Sequence, residues 1–315
     1  MNNPAIMRIG KTLTLLAFLA LLTGGEAALA ACDSGRVKLQ MLGTRGPELF
    51  DENASTGYLI WLDEKARVII DAGPGTVQRF EKSGANFDDV ELMLFTHFHA
   101  DHSVDFPAYI MGAYFTERSK TLAVIGPSGN ALLPSAEQFV ERMLGDKSGV
   151  FPHLSDFLEP AADSAFKIKA VSIQSSEQNL DIRKIYATGD FTVRAMPVHH
   201  GAFPALGYRV ETAGCTISFT GDMSGLLGRM PSLAQDSDIL VAHNAIPEDA
   251  EGFVTRLHMK PSYIGEMAAK AGVRHLLLSH LMRRTIDRKD ETLRRIRDKY
   301  PGRVSFPNDL DVIRP

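Results

Sequence analysis

From Val37 onward the chain alternates short apolar runs with amphipathic stretches. Val37–Leu42, Gly57–Leu62 and Arg67–Asp71 read as strands, the last closed by the turn Ala72-Gly73-Pro74-Gly75. The pattern predicts a helix over Thr76–Lys82, a compact apolar run over Glu91–Phe95, a helix over Asp105–Phe115, a strand over Leu122–Ile125 and a helix over Ser135–Leu144. The stretch from Asp146 to Asp190 is the least regular and is expected to be an insertion that shapes a site. Phe191–Pro197, Gly207–Glu211 and Thr216–Thr220 read as strands, the last two joined as a hairpin through Ala213-Gly214. Asp238–Val241 and His275–Ser279 are further strands. Pro261–Ala271 is a helix with proline in its first turn and Gly272 after its end, and Asp290–Tyr300 is the final helix. Hairpins and crossovers mix throughout, which predicts an α/β fold of layered sheets covered by helices, in one domain.

The first thirty residues follow another logic. Arg8 and Lys11 form a positive start, Thr12 to Leu22 is a short apolar run, and Ala28-Leu29-Ala30 is a small-x-small cleavage signal. This reads as a secretory signal peptide over residues 1–30, leaving 31–315 as an exported domain, periplasmic or secreted. The apolar run is shorter than the roughly 20 residues a bilayer span needs, so no transmembrane segment is expected after cleavage. Leu29-Ala30-Ala31-Cys32 also resembles a lipobox, but the polar Gly24-Gly25-Glu26 separates it from the apolar run, and plain cleavage after Ala30 is the preferred reading.

Composition changes the picture only at two points. Charge is nearly balanced, with 34 basic against 38 acidic residues, and no basic run or aromatic-interleaved basic patch marks a nucleic-acid surface. Only Cys32 and Cys215 are present. Export permits a disulfide between them, but Cys32 sits near a chain end, and the expectation is two unpaired thiols.

The chemistry concentrates in His97-Phe98-His99-Ala100-Asp101-His102, four metal-capable side chains within six residues directly after an apolar strand. A loop at a strand's carboxyl end can aim such side chains at one point. Imidazole suits zinc, iron or manganese, and a carboxylate adds charge and tolerates harder ions. Further candidates repeat the pattern of an apolar strand followed by a metal-type residue: His200 after Phe191–Pro197, with His199 as its competitor, Asp222 after Thr216–Thr220, and His280 after Leu276–Ser279.

The motif His-x-His-x-Asp-His followed by a distant His, Asp and His resembles the metallo-β-lactamase superfamily, and within it the ribonuclease Z and arylsulfatase-like branch. Pro197-Val198-His199-His200-Gly201 with Gly207-Tyr208-Arg209-Val210, Ser218-Phe219-Thr220-Gly221-Asp222, and His258 through Leu277-Leu278-Ser279-His280 are similar to that branch's later motifs. Leu42-Gly43-Thr44 and Asp71-Ala72-Gly73 match its opening strands. The resemblance implies a four-layer αβ/βα sandwich with two divalent ions at one sheet edge. It assigns His97, His99 and His200 to one ion, Asp101, His102 and His280 to the other, and Asp222 as a bridge. Zinc is the expected metal because the set is rich in histidine; iron or manganese also fits. Paired ions of this kind acidify water and polarise the scissile bond. Asp101 is then the residue that orients or deprotonates the water, and His258 the candidate general acid. Asp71 is expected to hold a ligand histidine from behind, Arg284 to contact an anionic substrate, and His153 and His275 to be structural.

The sequence departs from the branch in three places. Its partner carboxylate for His258 is missing, because the matching stretch reads Val241-Ala242-His243-Asn244, where His243 or Asn244 is the only substitute. Asp105 stands where the branch has glycine, which is expected to alter the pocket floor. His200 and Asp222 lie only 22 positions apart, too close for the long arm of transfer-RNA processing enzymes. With the acidic balance, this disfavours a nucleic-acid substrate. The resemblance therefore implies a hydrolase of small phosphodiesters or related anionic esters, which often forms a homodimer. The alternatives are a lactone, carboxylic-ester or amide hydrolase, and a metal-binding protein without catalysis.

Overall fold

The structure is a computed structural model that describes Met1 and residues 31–315. The signal-peptide reading of residues 1–30 therefore lies outside the described residues. Among the described residues no helix is long and apolar enough to cross a membrane.

The strands fall into two seven-stranded sheets. The first takes β1 (Val37–Gly43), β2 (Gly57–Leu62), β3 (Lys65–Ile70), β4 (Leu92–Leu94), β5 (Leu122–Pro127) and β6 (Ile168–Ile173). The second takes β7 (Arg183–Ala187), β8 (Thr192–His200), β9 (Phe203–Thr212), β10 (Cys215–Phe219), β11 (Ile239–His243), β12 (His275–Ser279) and β13 (Arg303–Ser305). β14 (Val312–Ile313) returns to the free edge of β1, giving the orders β14-β1-β2-β3-β4-β5-β6 and β13-β12-β11-β10-β9-β8-β7. In each sheet an antiparallel half passes into a parallel one, β3 to β6 in the first and β10 to β13 in the second.

The layers follow from strand period. Successive side chains point to opposite faces, so a strand apolar at every position is buried on both. In β2, Tyr58, Ile60 and Leu62 join the core between the sheets, while Leu59 and Trp61 join an outer core. That outer core receives Phe80 from the helix Thr76–Lys82, Phe106 and Ile110 from Phe106–Ala113, and Phe139 from Ala136–Leu144. In β12, Leu277 faces the inter-sheet core, and Leu276 and Leu278 face a third core filled by Ile264 and Met267 of the helix Pro261–Lys270 and Ile296 of Lys289–Arg297. The result is the helix–sheet–sheet–helix sandwich expected.

Three expectations need correction. The Asp146–Asp190 stretch, expected to be the least regular and an insertion, contains β6 and β7, one edge strand for each sheet. Their burial is only intermediate, so the hydrophobic alternation that marks central strands is weak there. Cys32 and Cys215 are not free thiols but form a disulfide, because the chain end is held where Asp33 N donates to Ala213 O at the β9–β10 turn. A lipid thioether at Cys32 and this disulfide exclude each other. Asp105 does not enter the pocket floor. Its carboxylate accepts from Val77 N at 3.1 Å, capping the helix Thr76–Lys82, whose own N-cap Gly75 has no side chain to do so.

Candidate metal centre

The metal-type residues all lie at the carboxyl ends of strands, along one edge of the sandwich. β4 leads to Thr96-His97 and the loop through His102, β8 ends at His200, β10 leads to Asp222, β11 ends at His243, and β12 leads to His280. Open α/β sheets place ligands at this end because loops from adjacent parallel strands converge there. Two glycines allow the close approach. A Cβ on Gly73 would stand 2.1 Å from Asp101 O, and one on Gly221, whose φ is +59°, would stand 2.9 Å from Thr96 Cβ.

His97, His99 and His200 bring one ring nitrogen each within 4.8 Å of one another, and His102, Asp222, His243 and His280 form a second such group. Asp101 joins the second group, its Oδ2 lying 3.2 Å from His280 Nε2 and 3.5 Å from His102 Nε2. Asp222 stands between the groups. Its Oδ2 is 4.0 Å from His97 Nε2, 3.8 Å from His200 Nε2 and 3.7 Å from His102 Nε2. His199 turns away, with Nδ1 2.6 Å from Ser224 Oγ.

The backing hydrogen bonds fix which nitrogen of each histidine faces the site. A carboxylate can only accept, so His102 Nδ1, 2.8 Å from Asp71 Oδ2, carries a proton and Nε2 is the bare nitrogen of the neutral ring, while Asp101 and Asp71 outweigh burial and raise this imidazole well above its ordinary pKa. His200 Nδ1 donates to Leu257 O at 2.9 Å, with the same consequence. Thr96 Oγ1 donates to Asp71 Oδ2 at 2.8 Å and so can only accept from His97 Nδ1, 3.2 Å away. Asp71 thus sets the tautomers of two histidines, one directly and one through Thr96. It does so from a left-handed backbone conformation, φ +57°.

On the second sheet the equivalent support goes to the carboxylate. His243 Nδ1 donates to Asp222 Oδ1 at 2.7 Å. Its Nε2 lies 2.8 Å from Tyr58 Oη, and that hydroxyl lies 3.0 Å from Ser279 Oγ. With Nδ1 protonated, the neutral ring must accept from Tyr58. Asp222 Oδ1 is therefore tethered, and Oδ2 is left to face the three bare nitrogens. In the sequence His243 stands out only as a substitute partner for His258. It ends an apolar strand as His200 does, and that signal would have placed it in the site.

Electrostatics separate the groups further. Burial holds His97 well below its ordinary pKa, the neighbouring His102 and His200 adding to the effect, and pushes His99 down to about 4. Burial also raises a carboxyl, but His102 and His280 outweigh it at Asp101 and hold that group at about 2. His280 and the hydrogen bond from His243 likewise keep Asp222 ionised, far below the usual carboxyl range. His258 is buried, 3.9 Å from Asp222 Oδ1, and burial pushes its pKa down to about 3. Arg284 donates to Ala245 O at 2.7 Å and lies half-buried, its charge acting on His258. His153 is exposed, and His275 pairs with Ser305 Oγ at 2.9 Å, far from the centre.

The residues fit a pair of cations. His97 Nε2 and His102 Nε2 are fully buried and have no hydrogen-bond partner, a state that costs about 1–3 kcal/mol for each group. A tetrahedral zinc with bonds of about 2.1 Å separates its donor atoms by about 3.4 Å. The spacings of Asp101 and Asp222 from the surrounding nitrogens run from 3.2 to 4.0 Å, close to that value.

Fold, ligand set and chain-wide similarity agree on the class: the protein belongs to the metallo-β-lactamase superfamily. The sequence pattern of the beta-lactamase superfamily domain matches residues 135–281, and that of the metallo-beta-lactamase superfamily matches residues 51–109. Among individual relatives, the ribonuclease Z of Mycolicibacterium paratuberculosis is 24% identical over 292 residues, covering 87% of this chain and 96% of the relative. The short form of human tRNase Z superposes with a TM-score of 0.67 at 19% identity, over 88% of this chain and 98% of that one. A diphosphatase of the PhnP family superposes with a TM-score of 0.59 at 15% identity, over 89% of this chain and 98% of its own.

Proposed function

We propose that the protein is a dinuclear metal-dependent hydrolase of small phosphodiesters or related anionic esters. The observation that carries this reading is the carboxylate of Asp222, one oxygen tethered by His243 and the other facing bare nitrogens of both histidine groups. A single-ion site has no use for a carboxylate so placed. Ribonuclease Z among the relatives and a PhnP-family diphosphatase among the similar structures support phosphoester chemistry.

Bound divalent ions would supply Lewis acidity, lowering the pKa of water and polarising the scissile bond. The chain's own residues do the rest. His97, His99 and His200 would hold one ion, and Asp101, His102 and His280 the other. Asp101 stays ionised at neutral pH and is placed to orient water and take its proton. His258 is neutral at neutral pH, and an anionic substrate beside it would raise its pKa, making it a donor to the leaving oxygen. Residues 241–244 offer His258 no carboxylate: Asn244 is fully buried with neither side-chain atom hydrogen-bonded, and the acid beside His258 is Asp222 itself, 3.9 Å from Nδ1. That absence favours a second reading, a lactone or carboxylic-ester hydrolase, whose leaving group demands less of His258.

We also assign the mature chain to an oxidising compartment, supported by the Cys32–Cys215 disulfide and the export signal read in the sequence.

The deciding experiment is turnover of bis(p-nitrophenyl) phosphate by zinc-loaded protein, with Asp101→Ala as control. Turnover lost in the control supports the phosphodiester reading. A protein that binds two ions yet leaves the diester intact while opening a lactone moves the assignment to the second reading.

A further inference from the structure

The buried histidines of the centre are not supported alike. His97, His102 and His200 each have a hydrogen-bond partner behind the ring, whereas His280 Nδ1 is fully buried and has none among the described residues. A ligating imidazole is ordinarily aimed by the acceptor behind it. His280 Nε2 nonetheless lies 3.2 Å from Asp101 Oδ2 and 3.4 Å from Asp222 Oδ1, among the donors of the second group. Something other than a hydrogen bond therefore sets this ring.

The group beside it is Gly46, in the loop between β1 and β2. A Cβ there would stand 2.7 Å from His280 Cε1 and 3.0 Å from Nδ1, so the Gly46 backbone lies against the unsupported side of the ring. Gly46 has no positive φ, so its backbone conformation does not call for glycine; the ring beside it does. The two segments are fixed to each other. Leu281 N donates to Thr44 O at 3.0 Å, and Gly46 N to Leu281 O at 3.3 Å. Gly46 O accepts from the buried Ser55 Oγ at 3.0 Å. The loop is closed by a carboxylate only 5% exposed, Asp309, from the segment between β13 and β14. Its Oδ1 accepts from Thr44 Oγ1 at 2.9 Å, and its Oδ2 from Ala54 N at 2.6 Å and Arg79 Nε at 3.1 Å. One side chain thus holds both ends of the loop. Repulsion rises steeply inside contact distance, so a ring packed against a backbone held in this way has little freedom to turn.

We propose that Gly46 is the positioning residue for His280, taking the place of a hydrogen-bond acceptor, and that Asp309 acts on the second ion through the loop. The proposal rests on the dinuclear reading above. It adds that the ion on Asp101, His102 and His280 depends on loop packing, whereas the ion on His97, His99 and His200 does not.

The test titrates the metal-free chain with cobalt, following each ion by its absorption spectrum and by calorimetry. Wild type should take two ions. Gly46→Ala, whose new methyl must displace the His280 ring, should keep its affinity for one ion and lose about 10–100-fold for the other. Asp309→Asn puts an amide donor where Thr44 and Ala54 donate, and should weaken the same ion less, by up to about tenfold. Wild-type affinity for both ions in Gly46→Ala overturns the proposal. So does an equal loss on both ions, which marks a general loss of structure. If Gly46→Ala does not fold, Asp309→Asn decides by the same two criteria. A wild-type chain that takes one ion or none defeats the dinuclear reading instead. The His280 ring is then followed without metal by the nuclear magnetic resonance of its Cε1 proton. A shift in either variant supports the positioning role, and a resonance unchanged from wild type overturns it.

Discussion

The half of the metal centre on the first sheet and the half on the second reach the same precision by different routes. On the first sheet, four metal-type residues come from one six-residue loop, and a single buried carboxylate, Asp71, orients His102 directly and His97 through Thr96. On the second sheet, His200, Asp222, His243 and His280 come from the ends of four strands, and no local segment fixes them. There the support crosses between sheets. Tyr58 of β2 reaches His243 and Ser279, and Tyr208 of β9 reaches back to Phe95 O, two residues before His97, at 2.7 Å. A compact motif needs one buried anchor, whereas a dispersed one needs both sheets held in register.

The largest expected effect strikes the residue shared by both halves. Asp222→Ala removes the carboxylate between the two groups and strands the His243 proton, so metal content should fall from two ions to one or none and turnover to background. Elemental analysis after dialysis reads this directly, and two tightly held ions in the variant would remove the bridging role.

The next effects compare the two supports. Asp71→Asn keeps the shape but puts an amide donor against His102 Nδ1, favouring the tautomer whose Nε2–H points into the site. Zinc affinity should drop by about 10–100-fold. Tyr58→Phe removes only the donor behind His243, whose own bond to Asp222 survives. Its loss should be smaller, up to about tenfold, and should show as an altered spectrum of the cobalt-substituted protein. If Tyr58→Phe cost more than Asp71→Asn, the second half would depend on its distant support more than the first does on its near one.

The disulfide offers a change that leaves the centre alone. It closes a loop of 183 residues, so reduction, or Cys215→Ser, should lower stability by about 2–4 kcal/mol. A fall in Tm of about 5 °C or more follows, with metal content unchanged.

The smallest expected effect is a titration remote from the site. Burial first, and the charge of Arg303 second, push His275 down to about 4. The unfolded imidazole takes its proton near pH 6.5 and the folded one only near 4, so protons favour the unfolded state as pH falls between those values. Urea midpoints of wild type and His275→Gln should therefore converge as pH drops from 6.5 to 4. A constant difference across that range would show that His275 does not titrate in the fold as described.

Legibility in the sequence tracked locality. The strands Gly57–Leu62 and His275–Ser279 and the helix Thr76–Lys82 appear where the apolar period placed them, because each carries its own pattern. The edge strands β6 and β7 did not, because a strand half open to water has little pattern to read. Asp105 looked like a change in the pocket and proved to cap a helix 28 positions earlier in the chain, a contact that no local signal announces.

By itself, the sequence determined the alternation of strands and helices and the dense metal-type run from His97 to His102, since both depend on side-chain type and short spacing, while the four-layer class followed from the resemblance those motifs carry. Only the tertiary structure decided that Cys32 meets Cys215, that His243 tethers Asp222, and that Tyr58 reaches His243. Each joins groups far apart along the chain. Their meeting is set by how the two sheets pack, and that packing is a property of the whole core rather than of any segment of it.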